Sequence, residues 1–225
     1  MQNLGIDVLL NVNHLQRLLQ GLWATVEIAS LSVVISYVLG TLMGILRVQA
    51  GKWINMLLRL YLESFRIIPV LVWLYLLYYF LPANFGIDLN SFWVALIVFS
   101  LWGSAEMSDI VRGALVSLPK HQFESGLAVG LNQRQLFRYV LLPQVVQRVT
   151  PGAVNLTVRM IMTTSLLFVL GVVELIKVGQ QIIESAYLQN PMVSVWIYGV
   201  ILLMYFALCF PLSKLADHLA QSKDA

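Results

Sequence analysis

Charged residues are scarce in this 225-residue chain, where aspartate, glutamate, lysine and arginine together make up 11%. An ordinary globular domain carries roughly 25%. Apolar residues make up 59%, the mean hydropathy is +0.80 and the formal net charge is +3. Too few polar side chains are available to cover a water-facing surface of this size. The composition therefore excludes a soluble enzyme, a disordered chain and a nucleic-acid-binding protein.

Metal-ligating residues are also few. Cys209 is the single cysteine, so no internal disulfide and no thiolate metal cluster can form. The histidines His14, His121 and His218 are scattered along the chain without the spacing of metal ligands. The sequence predicts no metal site and no cofactor bound by this chain.

Long apolar runs are abundant instead. A helix needs about 20 mostly apolar residues to cross the hydrocarbon core, and only helices or closed barrels satisfy the backbone there. Five stretches qualify, at residues 22–46, 57–81, 92–116, 145–170 and 193–215. The sequence therefore predicts an all-α integral membrane protein with five transmembrane helices. Gly40 and Gly44 in the first span have the small-xxx-small spacing that lets a neighbouring helix approach closely.

The two ends of the chain fall outside these spans. Residues 1–20 lack the cationic start and the small-residue cleavage site of a signal peptide, and their leucine and valine spacing predicts a short amphipathic helix on the membrane or on the bundle. We expect a transmembrane domain at 21–216 and a tail at 217–225.

Basic residues are distributed unevenly between the two sides of the predicted bundle. One side has Arg17 and Lys177; the other has Arg47, Lys52, Lys120, Arg134, Arg138, Lys214 and Lys223. Arg59, Arg112 and Arg148 are expected near span ends on the second side. Because cytoplasmic loops are enriched in lysine and arginine, the N-terminus is predicted outside and the C-terminus in the cytoplasm.

The internal segment at 117–144 is too long and too regularly apolar for a simple linker. Pro119 can open a helix, apolar positions recur after it, and Gly130 interrupts them. Two short helices around a glycine turn are predicted, with φ > 0 at Gly130. Their apolar face packs either against the protein's own helix ends or into a groove of a cytosolic partner.

This segment resembles the EAA loop of permease subunits of bacterial type I ABC importers. The resemblance lies in Glu124-Ser125-Gly126-Leu127-Ala128 followed by Gly130, and in Leu142-Pro143 further on. Ser125 and Gly126 replace the two alanines of the usual pattern, and both are small. Flanking motifs, including Arg112-Gly113-Ala114 and Thr164-Ser165-Leu166, are similar to the polar amino-acid uptake subfamily.

The resemblance implies a division of labour. Such a permease sits in the bacterial inner membrane, forms the translocation pathway with a second identical or paralogous permease, and receives solute from a periplasmic or lipoprotein binding protein. A separate cytosolic ATPase dimer uses ATP and Mg²⁺, so this chain is a transport subunit and not an enzyme. The ATPase-coupling residues carried over are Glu124, Ser125, Gly126, Leu127, Ala128, Gly130, Leu142 and Pro143.

Glu106 is an unexpected charge in the third span, about 3 Å from the mid-plane at 1.5 Å per residue. Related permeases commonly have a neutral residue there, whereas Asp109 matches their usual acid. Two acids three residues apart on one helix face are costly without a cation.

The fourth span carries a possible cationic partner. Related permeases often show Lys-Asp where this chain has Met162 and Thr163, so that substrate contact is not carried over. Arg159 lies one turn earlier. Arg159 and Glu106 either grip the carboxylate and ammonium of a substrate or form a structural ion pair, or this chain is the half of a heterodimer that has no substrate site. Thr164 and Ser165 either break the span or bond back to their own helix.

A stand-alone channel or secondary carrier using Glu106 and Arg159 is the alternative function, although such a protein has no need of the 117–144 hairpin. An intramembrane enzyme is disfavoured because the sequence has none of the common protease or hydrolase motifs.

Overall fold

The computed structural model describes residues 11–188 and 190–221, and within these ranges every regular element is a helix. The all-α class is therefore confirmed. The first ten residues of the predicted segment at 1–20 and the last four of the tail at 217–225 lie outside the described residues.

Eight helices follow one another along the described residues. They are α1 Val12–Gln49, α2 Lys52–Ile67, α3 Val70–Phe85, α4 Ser91–Val116, α5 Lys120–Ala128, α6 Gln133–Leu170, α7 Leu175–Ala186 and α8 Val193–Gln221. Two of them contain other helical geometry: α3 has a π-turn at Leu76–Phe80, and α6 has a π-turn at Phe137–Leu141 and ends in a 3₁₀ segment at Thr164–Leu170.

Four helices, α1, α4, α6 and α8, are long and apolar enough to cross a membrane. Helices α2 and α3 are long and apolar enough only when they are taken together as one broken span. The described residues thus contain four candidate spans, or five when the pair is counted as one. The first span begins earlier than predicted. Residues 12–20 are the first turns of α1 and not a separate segment, since the helix continues through Gly21 and no proline interrupts it before residue 22.

The second predicted span, 57–81, is not one continuous helix. It is broken between Ile67 and Val70, and Ile68 has extended backbone angles (φ −79°, ψ 126°). Pro69 is the physical reason, because proline pushes the preceding residue out of the α region and cannot donate a backbone hydrogen bond.

The fourth predicted span, 145–170, starts twelve residues early, at Gln133. Pro143 does not interrupt it, because the π-turn at Phe137–Leu141 lies just before it and the proline falls within the first turn of regular α-helix from Leu142. The second helix of the 117–144 segment is therefore not a short separate helix but the foot of α6.

The sequence analysis does not predict α7, because its 12 residues are too few to cross a membrane. Its amphipathic pattern nevertheless places Leu175, Val178 and Ile182 in a buried cluster. The other members of this cluster are Leu18, Val193, Ile197 and Ile201.

The chain divides into two compact units. Of the described residues, the first comprises 11–32, Val70–Phe99, 158–188 and 190–211, and it contains the α7 cluster. The second comprises Val33–Pro69, Ser100–Thr157 and 212–221.

Close packing of α1 on α4 holds part of the second unit together. A Cβ added at Gly40 would lie 2.5 Å from Met107 Cβ and 2.8 Å from Ser104 O, and one at Gly44 would lie 2.7 Å from Val111 Cβ. No real Cβ tolerates such distances, so the small-xxx-small spacing of the sequence serves helix packing here.

We expect Gly40→Val to lower the thermal unfolding midpoint of the purified protein, since overpacking typically costs about 1–3 kcal/mol. Gly113→Val on α4 is the matched control, because a Cβ at Gly113 meets no atom within 4 Å. Thermal unfolding followed by fluorescence size-exclusion chromatography measures both. Equal midpoints for the two variants would contradict this packing.

Candidate functional site

The hairpin formed by α5, its glycine turn and the foot of α6 is the first candidate site. Gly130 has φ 87°, the left-handed conformation predicted for it. Its N–H donates to Leu127 O (3.0 Å) and the Leu131 N–H donates to Gly126 O (3.1 Å), which closes the end of α5. Asn132 then caps α6 by accepting from the Gln135 N–H at 2.9 Å. Backbone hydrogen bonds at the end of α5 and the Asn132 side-chain cap of α6 therefore determine the angle of the turn.

The inner side of the hairpin is closely packed and its outer side is exposed. Gly126 and Leu136 are both buried, and a Cβ at Gly126 would collide with the Leu136 side chain. Phe123, Leu127 and Val129 are large apolar side chains left exposed on α5 and its turn. Such a face is suited to docking against another protein.

The remaining predicted coupling residues fall on two elements. Glu124, Ser125 and Ala128 are exposed on α5. Leu142 and Pro143 lie in α6 just beyond the π-turn. The structure thus places the first set on the exposed helix of the hairpin and the second set in the span that follows it.

A cluster of four alternating charges in the second unit is the second candidate site. Arg47 of α1 donates to Asp109 of α4 (Nη1–Oδ1 2.7 Å), and Arg66 of α2 forms an ion pair with the other oxygen of Asp109. Arg66 Nε also lies 3.6 Å from Glu106 Oε1. The sequence analysis missed Arg66, although a cation was expected beside the two acids. The order of the cluster is Arg47, Asp109, Arg66, Glu106, with no net charge.

The level of this cluster along α4 follows from Tyr61. Its hydroxyl donates to Leu101 O at 2.6 Å and lies 2.8 Å from Ser104 Oγ. Ser104 is at the middle of the 26-residue helix α4. The second half of α2 therefore packs against the middle of a spanning helix. Arg59, which was expected near a span end, lies two residues before Tyr61.

The predicted pathway residues of α6 are arranged by local hydrogen bonds. Thr163 Oγ1 donates to Arg159 O, Thr164 Oγ1 to Ile161 O and Ser165 Oγ to Met162 O, all at 2.7–2.8 Å. The hydroxyls thus bond back to their own helix. At Thr164 the helix tightens to 3₁₀ geometry and it ends at Gly171, with φ 76°.

Arg159 and Met162 are exposed. The partner of Glu106 that is described above is Arg66, and joint action of Glu106 with Arg159 stays a prediction.

A cavity of about 420 Å³ in the second unit is lined by α1, α4 and α6. Its walls are mainly aliphatic, with Tyr37, Thr41, Gln49 and Thr150 as the polar members and no charged side chain. It offers nothing that would neutralise an ionised solute. Among the described residues, no group of three or more His, Cys, Asp or Glu could hold a metal ion.

Glu174 organises a polar contact in the first unit that the sequence analysis did not single out. It is fully buried and caps α7, accepting from the N–H groups of Ile176 (2.9 Å) and Lys177 (2.7 Å). The Tyr205 hydroxyl lies 3.5 Å from its Oε2. Burial raises the pKa of Glu174 from 4.5 to about 7, against the opposing effect of the two backbone donors.

Comparison with known proteins decides the family. Residues 36–224 match the family of binding-protein-dependent transport system inner membrane components. The chain belongs to this family. The probable amino-acid ABC transporter permease PatM of Vibrio harveyi is 34% identical over 82% of this chain and 83% of its own length. The glutamine transport system permease GlnP of Escherichia coli K12 is 33% identical over 76% of this chain and 78% of its own.

Solved structures agree on the fold. An amino acid ABC transporter crystallised with histidines superposes with a TM-score of 0.82 and 23% identity, covering 94% of this chain and 96% of the other. The methionine transporter MetNI, in an inward-facing conformation, gives a TM-score of 0.68 and 18% identity over 93% and 99%.

Family membership confirms several predictions made from the motifs. The chain is an inner-membrane permease component of an ABC transporter and not an enzyme, and its family works with an ATPase and a substrate-binding protein.

Glu174 makes stability depend on pH with a defined sign. Its folded-state pKa is raised, so its full contribution to stability is present below pH 4.5 and is lost as pH rises to about 7, at about 1.4 kcal/mol per pKa unit. We expect the thermal unfolding midpoint to fall between pH 5 and pH 7 more steeply in the wild type than in Glu174→Gln. The variant keeps one of the two accepting oxygens, so it can still cap one N–H group, but it does not titrate. Parallel profiles for the two proteins would refute the assignment.

Proposed function

We propose that this chain is the permease subunit of an ATP-driven importer of amino acids. The observation that carries the proposal is the family match over residues 36–224 together with relatives that are described as permeases for amino acids, among them PatM, GlnP and the L-cystine permease TcyL of Bacillus subtilis. Polar amino acids, including cationic ones, are the substrate class that the sequence motifs favour. The stand-alone channel or carrier is disfavoured, because these relatives are permeases of ABC systems.

The α5 hairpin is the proposed contact with the ATPase. Phe123 and Leu127 are one helical turn apart and exposed, so they form an apolar ridge suited to a groove. Glu124, Ser125 and Ala128 are exposed beside them. Movement of the ATPase subunits would be passed through the fixed turn at Gly130 into α6, past Leu142 and Pro143, as the motion of a rigid element.

The proposed orientation puts the N-terminus outside and this hairpin in the cytoplasm, as the lysine and arginine distribution favours. A second permease, identical or paralogous, completes the pathway, and a periplasmic or lipoprotein binding protein delivers the solute. ATP and Mg²⁺ are bound by the ATPase dimer, and this chain is proposed to bind no cofactor.

The substrate pathway is proposed to include Glu106, Arg159, Met162, Thr163, Thr164 and Ser165. Two roles remain for the charged members. Arg159 and Glu106 hold the two charges of an amino acid, or they stabilise the fold. A third case is that this chain is the half of a heterodimer without a substrate site.

Leu127→Asp tests the coupling proposal. A charge in a desolvated docking ridge should lower the amount of ATPase that co-purifies with the permease at least tenfold, which corresponds to about 1.4 kcal/mol of binding free energy. Leu188→Asp is the matched control, because Leu188 is also an exposed leucine but precedes α8 and is predicted on the opposite side of the membrane. It should retain the ATPase. Equal recovery with both variants would contradict the docking surface.

Uptake by vesicles containing the permease, the ATPase and the binding protein tests the transport proposal. We expect ATP-dependent accumulation from a set of radiolabelled polar and cationic amino acids, and none without the ATPase. Accumulation that persists without the ATPase would favour the carrier instead.

A further inference from the structure

We infer that Arg59, Glu63 and Arg66, called here the polar stripe of α2, form a wall of the aqueous pathway through which the solute passes. These residues follow at i, i+4 and i+7, so they lie in one row on the helix surface. The inference rests on the proposed transport function. It assigns to α2 a role that the predicted pathway residues on α4 and α6 do not include.

The depth of the stripe follows from the contacts that α2 makes with α4. Tyr61 and Arg66 of α2 contact Ser104 and Glu106, which lie at the middle of α4. Helix α4 has 26 residues. At 1.5 Å per residue a helix of this length extends about 39 Å, more than the hydrocarbon core of about 30 Å. The stripe therefore lies at the level of the hydrocarbon and not at a water interface.

The side chains of the stripe are at least half exposed. The side chains of Arg59, Glu63 and Arg66 are 75%, 50% and 50% exposed in the chain by itself. A charged side chain at the centre of a bilayer costs about 2.5–3.5 kcal/mol on insertion scales and is normally turned toward a water-filled cavity or protein. Three such groups side by side cannot face lipid, so this side of α2 faces water or another protein surface, and we assign water to it.

The other exposed side of α2 has the opposite chemistry. Leu57 is 64% exposed and lies on the far side of the helix from the stripe, and Leu60 and Ile67 (66% and 76% exposed) continue this apolar surface to the edge of the stripe, three and four residues from Glu63. Leu62 and Phe65 are buried on a third side of α2, and this side anchors the helix to the rest of the protein. A helix that carries one apolar and one charged exposed row at membrane depth has the pattern of a pathway wall.

The charges of the stripe indicate which solute it accepts. Arg59 pairs with Glu63 at 2.6 Å, and Arg66 pairs with the acids of α4. Paired charges supply donors and acceptors of both signs without a net field. Passage requires that a solute be solvated but not held tightly. The wall therefore fits a small zwitterion such as an α-amino acid better than a bare anion or cation.

Cysteine accessibility tests this inference in the assembled transporter. In a Cys209→Ser background, Arg59→Cys and Glu63→Cys are placed in lipid nanodiscs and treated with the cationic, membrane-impermeant thiol reagent MTSET. Leu57→Cys is the matched control, because Leu57 is two residues from Arg59 along the helix but lies on its apolar far side. We expect the stripe cysteines to react at least tenfold faster than this control. Equal rates, or faster reaction of the control, would overturn the inference.

Two further measurements distinguish the remaining outcomes. If the stripe cysteines resist MTSET but form disulfides between two permease copies on oxidation, the stripe is a subunit interface, and the pathway assignment is wrong. Co-purification of the ATPase is scored on the same samples. Its loss in the parent Cys209→Ser chain would count against the proposed function, whereas the labelling rates judge the stripe alone. Arg59 and Glu63 lie outside the four-charge cluster, so we expect both variants to assemble.

Discussion

The second unit depends on one electrostatic constraint, which is that charges inside an apolar bundle must be paired. Asp109 satisfies it twice, by binding Arg47 of α1 and Arg66 of α2. One carboxylate on α4 thus ties two other helices to the same level. The glycine contacts at Gly40 and Gly44 bring α1 close enough for this pairing, and Glu106 supplies the remaining negative charge. Removing Asp109 leaves the largely buried Arg47 without its ion-pair partner, and an uncompensated buried charge costs more than the pair contributes.

The same constraint connects the packing to transport. Because the charges of α2 are paired, they produce no net electrostatic field where a solute is proposed to pass. The apolar side of α2 remains available for contact with lipid. The hairpin provides the complementary feature outside the membrane, an apolar ridge at Phe123 and Leu127 on a turn fixed by Gly130. Because the foot of α6 continues directly into a span, the ridge and the span belong to one helix–turn–helix element.

The sequence predicts those features that depend on length, hydropathy and single-residue conformational rules. The spans, the left-handed turn at Gly130 and the close approach at Gly40 are of this kind. Features that depend on tertiary contacts were missed. Helix α7 is too short for a hydropathy criterion, and its stability comes from Glu174 and a buried cluster. Arg66 was not paired with Glu106, because a contact 40 positions away leaves no periodic signal in the sequence.

A double-mutant cycle on Arg47 and Asp109 tests the central electrostatic claim most directly. The free energy of unfolding is measured by SDS titration in bicelles for Arg47→Gln, Asp109→Asn and the combined variant. The pairing predicts that the combined variant is more stable than the sum of the two single losses allows, with a coupling energy within about 0.5–3 kcal/mol. Additive losses would show that the two side chains do not stabilise each other and would contradict the account.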